Sequence, residues 1–543
     1  MKEFDDICDL VSKLSSSERK LLLRFNRLLM DDPKENPSTI LITELLNKRE
    51  RNEVDLQNLL YNKENINAFR KLIQRTYDKI LDIILLKHSI DGSEFYDSRS
   101  KEIFILRKKL LQIEILLIRG FKRSYLIVIE KIIKKAYNYE YYEILLYALF
   151  KKRRLIARTA KSKELYHLNN EIRKVEAQRK SLARIEESFF SILNLGVHSN
   201  HKEEIAYLER MIPKFYELED NSTSISFKYY LYYHEMNYFD HMLDFYRAFK
   251  TADKQLKLVS KSRYFNSPSR LNAALLNKSI YAIKLFAFGE CLKSLGQLYH
   301  RKALIQNDER LINEISWKCY FYLSLDHEMK LYFSKLYQSN EGTNQDRILN
   351  SKIEYYSVIQ NYILNALHVN EKKNRWILTN DLPDEKWKFA QRVFQIQLLI
   401  EDEKFELADF QIENNRKFME RMKKADVLTK RQSLIGKVLI DLSRKSYDFK
   451  KVARSRQKEL NLLDSVELDY RWQILSPELI VFQEWFYARL KGENYNHKQV
   501  MAKMKEKISP VVQKPLLTLP IYASHQHTRG VSSGVKRKKV VTA

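Results

Sequence analysis

The scarcity of helix-breaking residues is the feature that most restricts the fold of this chain. Its 543 residues include only 10 glycines and 9 prolines, and no proline lies between Pro37 and Pro213. Proline interrupts helices, and both residue types mark turns, so a chain with few of them favours long helices. The sequence therefore predicts an all-α protein, with most of its 33 tyrosines and 27 phenylalanines in the seams between helices.

The segment Leu271–Tyr299 shows a helix–turn–helix unit most clearly. A break at Phe288-Gly289 separates two stretches whose small and apolar residues are spaced three, four or seven positions apart. Such spacing places them on one face of each helix. The first face consists of Leu275, Ser279 and Ala282, and the second of Cys291, Leu295 and Leu298.

Weaker copies of the second helix recur along the chain. Each has an aromatic residue first, a mostly small residue three positions later, and an apolar residue four positions after that. Close packing of antiparallel helices requires this pattern, so we expect Ser124, Cys291 and Ala408 to be buried where paired helices touch. His241 does not fit the small position. The copies are Phe121-x-x-Ser124-x-x-x-Val128, Tyr238-x-x-His241-x-x-x-Phe245, Phe288-x-x-Cys291-x-x-x-Leu295 and Phe405-x-x-Ala408-x-x-x-Ile412.

Three further segments carry a resemblance to known proteins: Leu10–Phe25 (LVSKLSSSERKLLLRF), Asn67–Leu85 (NAFRKLIQRTYDKILDIIL) and Phe482–Tyr495 (FQEWFYARLKGENY). The repeated pattern is similar to tetratricopeptide (TPR) repeats, in which a small residue of the second helix lets its partner approach. Over residues 1–505 the chain resembles an uncharacterised bacterial all-helical family with degenerate repeats of this kind. The resemblance concerns residues that pack helices against each other, and it implies no catalytic residue.

The composition divides the chain into three parts. Residues 1–90 are predicted to form an N-terminal helical module, and residues 101–505 a TPR-like helical repeat array. Residues 507–543 contain no acidic residue and are rich in proline and glycine relative to the rest. They have too few apolar residues to bury a core, so we expect a basic and largely disordered tail.

Signals for catalysis, metals and membranes are weak. No glycine-rich phosphate-binding motif occurs. His234-Glu235 and His241 suggest a zinc helix only superficially, because the histidines are seven residues apart rather than four and a turn is predicted between them. Three unpaired cysteines, Cys8, Cys291 and Cys319, indicate a reducing, cytoplasmic location. We expect no enzyme activity, cofactor, metal site or membrane span.

The net charge of +27 is concentrated in three windows. Residues 150–185 hold 12 basic and 3 acidic residues, residues 416–460 hold 15 and 5, and residues 507–543 hold 7 and 0. These windows are either solvated outer faces or a footprint for a polyanion, nucleic acid above all. The cations that would contact phosphates are Lys151, Lys152, Arg153, Arg154, Arg158, Arg421, Lys423, Lys424, Lys430, Arg431, Lys437, Lys536, Arg537, Lys538 and Lys539.

Two functions fit these patterns. The first is a non-enzymatic scaffold, a right-handed α-solenoid of degenerate TPR-like helix–turn–helix repeats whose surface binds a protein or peptide partner. The alternative is a nucleic-acid-binding protein that uses the same scaffold to present the basic zones 150–185, 416–460 and 507–543. An enzyme is the third and least favoured reading.

Overall fold

The structure of the chain, a computed structural model, is built from helices. It has 24 α-helices and no strand among the described residues, which confirms the predicted all-α class. None of these helices is both long and apolar enough to cross a membrane. The chain divides into two units, Met1–Lys101 and Glu102–Ala543. The described residues are 2–14, 16–28, 37–46, 53–61, 66–87, 98–157, 161–198, 201–219, 224–299, 306–338, 347–364, 382 and 384–515.

The first unit has five helices around a small apolar core. They are α1 (Lys2–Lys13), α2 (Ser16–Leu28), α3 (Pro37–Leu46), α4 (Glu53–Tyr61) and α5 (Ile66–Lys87). The longest, α5, packs against each of the other four. Ile7, Leu41 and Phe69 are fully buried in the core that these helices enclose.

The second unit contains the remaining helices, the first of which begins just before the unit boundary. They are α6 (Ser98–Ile118), α7 (Lys122–Asn138), α8 (Tyr142–Ile156), α9 (Ser162–His198), α10 (His201–Glu219), α11 (Ile225–His241), α12 (Phe245–Lys261), α13 (Pro268–Lys284), α14 (Phe288–Tyr299), α15 (Gln306–Leu323), α16 (Asp326–Gln338), α17 (Arg347–Ile363), α18 (Glu385–Glu401), α19 (Phe405–Lys424), α20 (Lys430–Arg444), α21 (Phe449–Ser455), α22 (Gln457–Leu463), α23 (Phe482–Lys491) and α24 (His497–Val512). Most helices that follow each other in sequence pack together, and one apolar core extends from Phe245 to Val512.

Six helix pairs in the described chain are joined by the same tight turn, in which the second helix begins two positions after a left-handed residue. One residue of each turn has a left-handed backbone, with φ between 53° and 75°. Its N–H donates to the carbonyl three residues earlier, and the next N–H donates to the carbonyl five residues before itself. These are the hydrogen bonds of a Schellman motif, which satisfy the last carbonyls of a helix. The left-handed residues are Gly120, Glu140, Leu243, Phe286, Ser324 and Glu403.

Only one of these six turns uses glycine, so the scarcity of glycine limits the number of turns less than the sequence predicts. A left-handed residue other than glycine costs roughly 1–2 kcal/mol. Each turn allows two apolar helix faces to meet, and burying a single large apolar side chain contributes about 1.5–3 kcal/mol. Burial therefore outweighs the backbone strain.

The predicted seam positions are right in two of three cases. Cys291 and Ala408 are fully buried. Ser124 is exposed, which contradicts the prediction, and Tyr125 is buried instead. The reason is a shift of one residue, because Phe121 is the N-cap of α7, whereas the matching aromatics of α14 and α19 are the first residue of their helices.

The copy that contains His241 is aligned wrongly. Tyr238 and His241 lie at the end of α11, and a turn separates them from α12. The second helix of this pair is α12, in which Phe245, Ala248 and Ala252 are all buried. These three residues repeat the predicted aromatic–small–apolar pattern with the correct spacing.

The last described helix extends into the segment predicted to be disordered. α24 runs to Val512 rather than ending near residue 505, and Ile508 and Val512 are buried. The side-chain amide of Gln513 donates to the carbonyl of Leu285 (2.9 Å). The prediction of disorder is therefore wrong for residues 507–512, because their apolar side chains join the core. Residues 516–543 lie outside the described residues.

Candidate binding groove

The second unit contains a groove with a volume of about 670 Å³. One wall is the connection between α22 and α23, and the other walls are the turn from α11 to α12, the α18 helix and the first turn of α20. A groove of this volume can hold a small molecule or a few residues of a peptide. The apolar lining includes Phe245, Phe389, Phe394, Ile435, Ile474 and Leu479.

Aromatic side chains fix the wall between α22 and α23. Trp472 is buried, and its indole N–H donates to a carbonyl of the same connection (2.8 Å). The Tyr322 hydroxyl accepts from the Leu475 amide (3.0 Å), and the Tyr355 hydroxyl donates to the Pro477 carbonyl (3.1 Å). Burial raises the pKa of Tyr322 and Tyr355, so both hydroxyls stay neutral. The groove thus has a wall that is held in place although it is not helical.

Arg431 is the most completely bonded cation of the groove. Its Nη2 and Nε donate to the two carboxylate oxygens of Glu478, at 2.7 and 2.8 Å. The remaining N–H groups donate to the carbonyls of Leu463 (3.1 Å) and Tyr470 (2.8 Å) and to the Gln483 side-chain oxygen (2.7 Å). All five guanidinium donors are occupied, and the residue is 8% exposed. The prediction that Arg431 contacts phosphate is wrong, because a buried arginine with every donor occupied cannot reach a polyanion.

Two other charged pairs line the groove. Lys430 pairs with Asp469 (2.5 Å), and Lys284 pairs with Asp240. Together with Arg431, these lysines account for most of the positive charge at the groove, and each is matched by a carboxylate. The paired groups set the shape and polarity of the site.

Arg471 also lines the groove, and sequence reasoning missed it. It lies outside the three basic windows and next to no motif, so nothing in the sequence distinguishes it from a surface arginine. In the structure it is buried, and its guanidinium donates to the Leu243 carbonyl (3.4 Å).

The two histidines that superficially suggested a zinc site do not share a site. His234 and His241 lie in the same helix, α11, so the turn predicted between them is wrong. Both ring nitrogens of His234 have partners, the Tyr230 carbonyl (2.7 Å) and the Ser188 hydroxyl (2.9 Å). Burial lowers the pKa of His234 to about 4. His241 instead pairs with Glu204 (3.0 Å).

In the first basic zone (residues 150–185), three of the predicted cations contact other side chains of the protein, and a fourth is exposed. Lys151 pairs with Glu114 (2.7 Å) and Lys152 with Glu130 (2.6 Å). The Arg153 guanidinium lies 5.0 Å from the centre of the Phe150 ring and donates to the Asn169 side chain (3.3 Å). Arg154 is exposed, and Arg158 lies outside the described residues.

In the second zone, Arg421, Lys423 and Lys424 are exposed in the last turn of α19. Cations at that end of a helix interact favourably with the helix dipole, which gives them a structural reason to be there. Lys437 is exposed on α20. The four tail residues Lys536, Arg537, Lys538 and Lys539 lie outside the described residues.

A row of exposed cations on α9 was missed as a candidate, although it lies inside the first basic window. Arg173, Lys180 and Arg184 are all exposed, and their spacing of seven and four residues places them on one face of the helix. No acidic side chain of the described chain forms an ion pair with them. The long uninterrupted helix Ser162–His198 creates this row. Its signal was present in the sequence as a helical spacing of basic residues.

A second polar cluster lies on α15 and α17. The Glu314 carboxylate pairs with Lys318 (2.8 Å) and Lys352 (2.9 Å) and accepts from the Tyr356 hydroxyl (2.7 Å). Burial opposes the ionisation of Glu314, but the two lysine charges outweigh it and hold the pKa of Glu314 well below its usual range. Lys352 Nζ also lies 5.3 Å from the centre of the Trp387 ring. The cluster joins α15 to α17, and its charged groups are already paired with one another.

Comparisons of the chain with protein-family models, with curated proteins and with solved structures find no match to any of them. The function is therefore inferred from the residues and geometry of the chain.

Proposed function

We propose that the chain is a non-enzymatic binding scaffold, an α-solenoid of degenerate TPR-like repeats whose groove receives a peptide segment of a partner protein. The groove of about 670 Å³ carries this proposal. Its lining combines apolar side chains with a similar number of polar and charged ones, and it is assembled from helices and a loop that are distant in sequence. A concave site in which polar groups converge beside apolar surface is typical of sites that bind ligands.

Two observations support a repeat array. The same tight turn, with a left-handed residue two positions before the next helix, recurs at six helix pairs of the described chain. Successive helices also pack mainly against their sequence neighbours. Both features are expected when each unit buries its faces against adjacent units.

The chemistry of the groove favours binding over catalysis. A general acid or base must be free to exchange a proton with a substrate. At the groove, the carboxylates of Glu478, Asp469 and Asp240 each hold a cation in an ion pair. These contacts fix the walls of the groove and suit a surface that recognises a partner by shape and hydrogen bonding.

A peptide array tests the proposal. Purified protein is applied to immobilised short peptides of varied sequence, and bound protein is detected with an antibody to a tag. Ala390 lines the groove, so Ala390→Trp should fill it and abolish the signal. Ala502 is exposed on α24 and does not line the groove, so Ala502→Trp is the matched control. Equal binding by both variants and wild type, with unchanged melting temperatures, would exclude the groove as the site.

The exposed row on α9 supports a second candidate, binding of nucleic acid through backbone phosphates. Arg173, Lys180 and Arg184 present charge along one helix face without an acidic partner in the described chain. Such a surface reads no base sequence, and its affinity should fall steeply with salt.

Affinity for labelled duplex DNA and single-stranded RNA at two salt concentrations tests this candidate. The double variant Lys180→Glu/Arg184→Glu should weaken binding for all sequences and flatten the log–log salt slope by about 0.9 for each lost phosphate contact on DNA. Lys498 and Lys505, exposed on α24, provide the control Lys498→Glu/Lys505→Glu with the same change in net charge. If neither DNA nor RNA binds at low salt, the basic zones are solvated outer faces and this candidate is wrong.

A further inference from the structure

Arg471 is a buried arginine without an acidic partner. It lines the groove and is 4% exposed, and the one hydrogen bond of its side chain within the described chain runs from Nη2 to the Leu243 carbonyl at 3.4 Å. Burial lowers the pKa of Arg471, and no carboxylate of the described chain offsets this effect. A buried charge is costly unless it is paired. The groove therefore holds a positive charge that the described chain does not neutralise, in contrast to Arg431.

Two buried polar groups line the groove without a hydrogen-bond partner among the described residues. They are the side-chain nitrogen of Gln397, on α18, and the hydroxyl of Ser476, in the connection before α23. Gln397 is 2% exposed. Buried polar groups in native proteins nearly always have a partner, so each exception needs an explanation. These two exceptions and the unpaired charge of Arg471 lie around one groove, and a bound anionic group that accepts hydrogen bonds would explain all three.

We propose that the groove binds an acidic peptide segment, in which an Asp or Glu carboxylate is held by Arg471, with Gln397 and Ser476 as further donors. This inference rests on the proposed peptide-binding function and specifies the chemistry of the partner. A guanidinium matches a carboxylate with two parallel hydrogen bonds, which gives geometric selectivity as well as attraction.

The charge balance of the groove favours a single carboxylate. Lys284, Lys430 and Arg431 are each paired with a carboxylate of the chain. Among the buried cations of the groove, Arg471 alone lacks a carboxylate within the described chain, and a ligand with a single negative charge would neutralise it. Lys386 also lines the groove, but it is exposed to solvent. A phosphate dianion would bring a second negative charge into a groove whose own carboxylates are already numerous, and it would repel them.

The apolar lining adds a second requirement. Phe245, Phe389 and Phe394 surround part of the groove. Residues next to the acidic side chain of the peptide should therefore be apolar, because their burial against these rings contributes most of the binding energy. The predicted motif is an acidic residue flanked by large apolar residues.

A paired peptide array tests this motif. Each pair consists of two short peptides with the same large apolar residues around a central Glu in one member and Gln in the other. The Glu member neutralises the buried charge of Arg471, and its charge-assisted hydrogen bonds are about twice as strong as the neutral ones of Gln, so wild type should bind the Glu member roughly 10- to 100-fold more strongly. Arg471→Met should lose this preference. Gln397→Leu keeps the guanidinium and should reduce the preference several-fold.

Thermal unfolding of the same variants separates recognition from structure. Arg471→Met removes an uncompensated buried charge, so it should melt no lower than wild type. Arg431→Met breaks the ion pair with Glu478 in the same groove and should melt lower. A lower melting temperature of Arg471→Met, combined with an unchanged Glu/Gln ratio in Gln397→Leu, would show that Arg471 is structural and overturn the inference.

The remaining outcomes distinguish this inference from the proposed function. If wild type binds both members of each pair equally, the carboxylate site is wrong and peptide binding by the groove stands. If wild type binds no peptide of either kind, both the inference and the proposed peptide-binding function fail.

Discussion

The carboxylate of Glu140 accepts a hydrogen bond from the backbone amide of Ser226 at 2.8 Å. It also accepts from the amide of Ile225 (2.5 Å) and from the hydroxyl of Ser224, the N-cap of α11 (3.0 Å). Glu140 is at the same time the left-handed residue of the turn between α7 and α8. A single residue thus forms one turn and caps a helix that begins 85 residues later.

This double role predicts opposite effects of one substitution at two matched turns. Glu403 is also left-handed, with φ of 57°, but its side chain is exposed. Glu403→Gly should stabilise the protein by about 0.5–1 kcal/mol, because glycine adopts this conformation without strain. Glu140→Gly gains the same relief but loses the charged cap of α11, and should destabilise by about 1 kcal/mol. Urea denaturation of both variants measures the difference.

The interpretation of Glu140 would be wrong if both glycine variants changed the free energy of unfolding equally. Glu140→Gln serves as a second probe. It keeps the length of the side chain and the strained backbone and removes only the charge, so it should lose part of the cap.

Breaking the ion pair between Arg431 and Glu478 should cause a large loss of stability, and removing both charges should restore part of it. Arg431→Met leaves a partly buried carboxylate without its cation and removes five hydrogen bonds of a buried guanidinium, so it should cost about 3–5 kcal/mol. The double variant Arg431→Met/Glu478→Met removes both charges, and its loss should be smaller than that of the single variant. Chemical denaturation of the two single variants and the double variant gives the coupling energy. Additive losses would show that the pair is not coupled.

The helix seams predict which small residues tolerate a large side chain. Cys291 and Ala408 are fully buried, so Cys291→Trp and Ala408→Trp should destabilise by at least about 1–3 kcal/mol through overpacking. Ser124 is exposed, so Ser124→Trp should have almost no effect and is the matched control. Melting curves decide the matter, and a Ser124→Trp loss as large as the others would contradict the observed register of α7.

These residues also show how much of the fold the sequence could reveal. Helical spacing and the lack of breakers are local properties, so the all-α class and the buried positions Cys291 and Ala408 were predictable. The register at Ser124 was not, because it depends on whether Phe121 lies inside or outside the first turn of α7. One residue changes the buried face by about 100°.

The groove depends on contacts that no local pattern contains. Arg431 and Arg471 are both single arginines in the sequence, yet one is fully paired and the other is not. The difference arises because Glu478 is brought next to Arg431 by the connection before α23. Likewise, nothing near Glu140 in the sequence indicates that it caps α11. Such long-range contacts arise only when the helices pack.

His497 predicts a loss of stability in mild acid. Its Nε2 donates to the Phe321 carbonyl at 2.9 Å, and burial lowers its pKa from 6.5 to about 4. Between these two values the unfolded chain binds the proton and the native protein does not. Stability should therefore fall as the pH decreases from 7 to 4, by up to about 1.4 kcal/mol per pH unit from this residue.

The variant His497→Gln isolates this contribution. A glutamine amide can still donate to the Phe321 carbonyl but does not titrate. The stability difference between wild type and variant should therefore change with pH only between about pH 6.5 and 4. Denaturation at several pH values measures it, and parallel curves over this range would show that His497 is not buried as a neutral ring.

The end of α24 predicts that two truncations differ sharply. Deleting residues 508–543 removes the buried Ile508 and Val512 and the bond from Gln513 to Leu285, and should cost about 3 kcal/mol or more. Deleting residues 516–543 leaves every one of these contacts intact, and should leave the melting temperature nearly unchanged. Ile508→Ala in the full chain separates burial from chain length, because it should reproduce about 2–4 kcal/mol of the loss without shortening the protein. If the shorter deletion is as damaging as the longer one, residues beyond 515 contribute to the core. If neither has an effect, the last turn of α24 does not stabilise the protein.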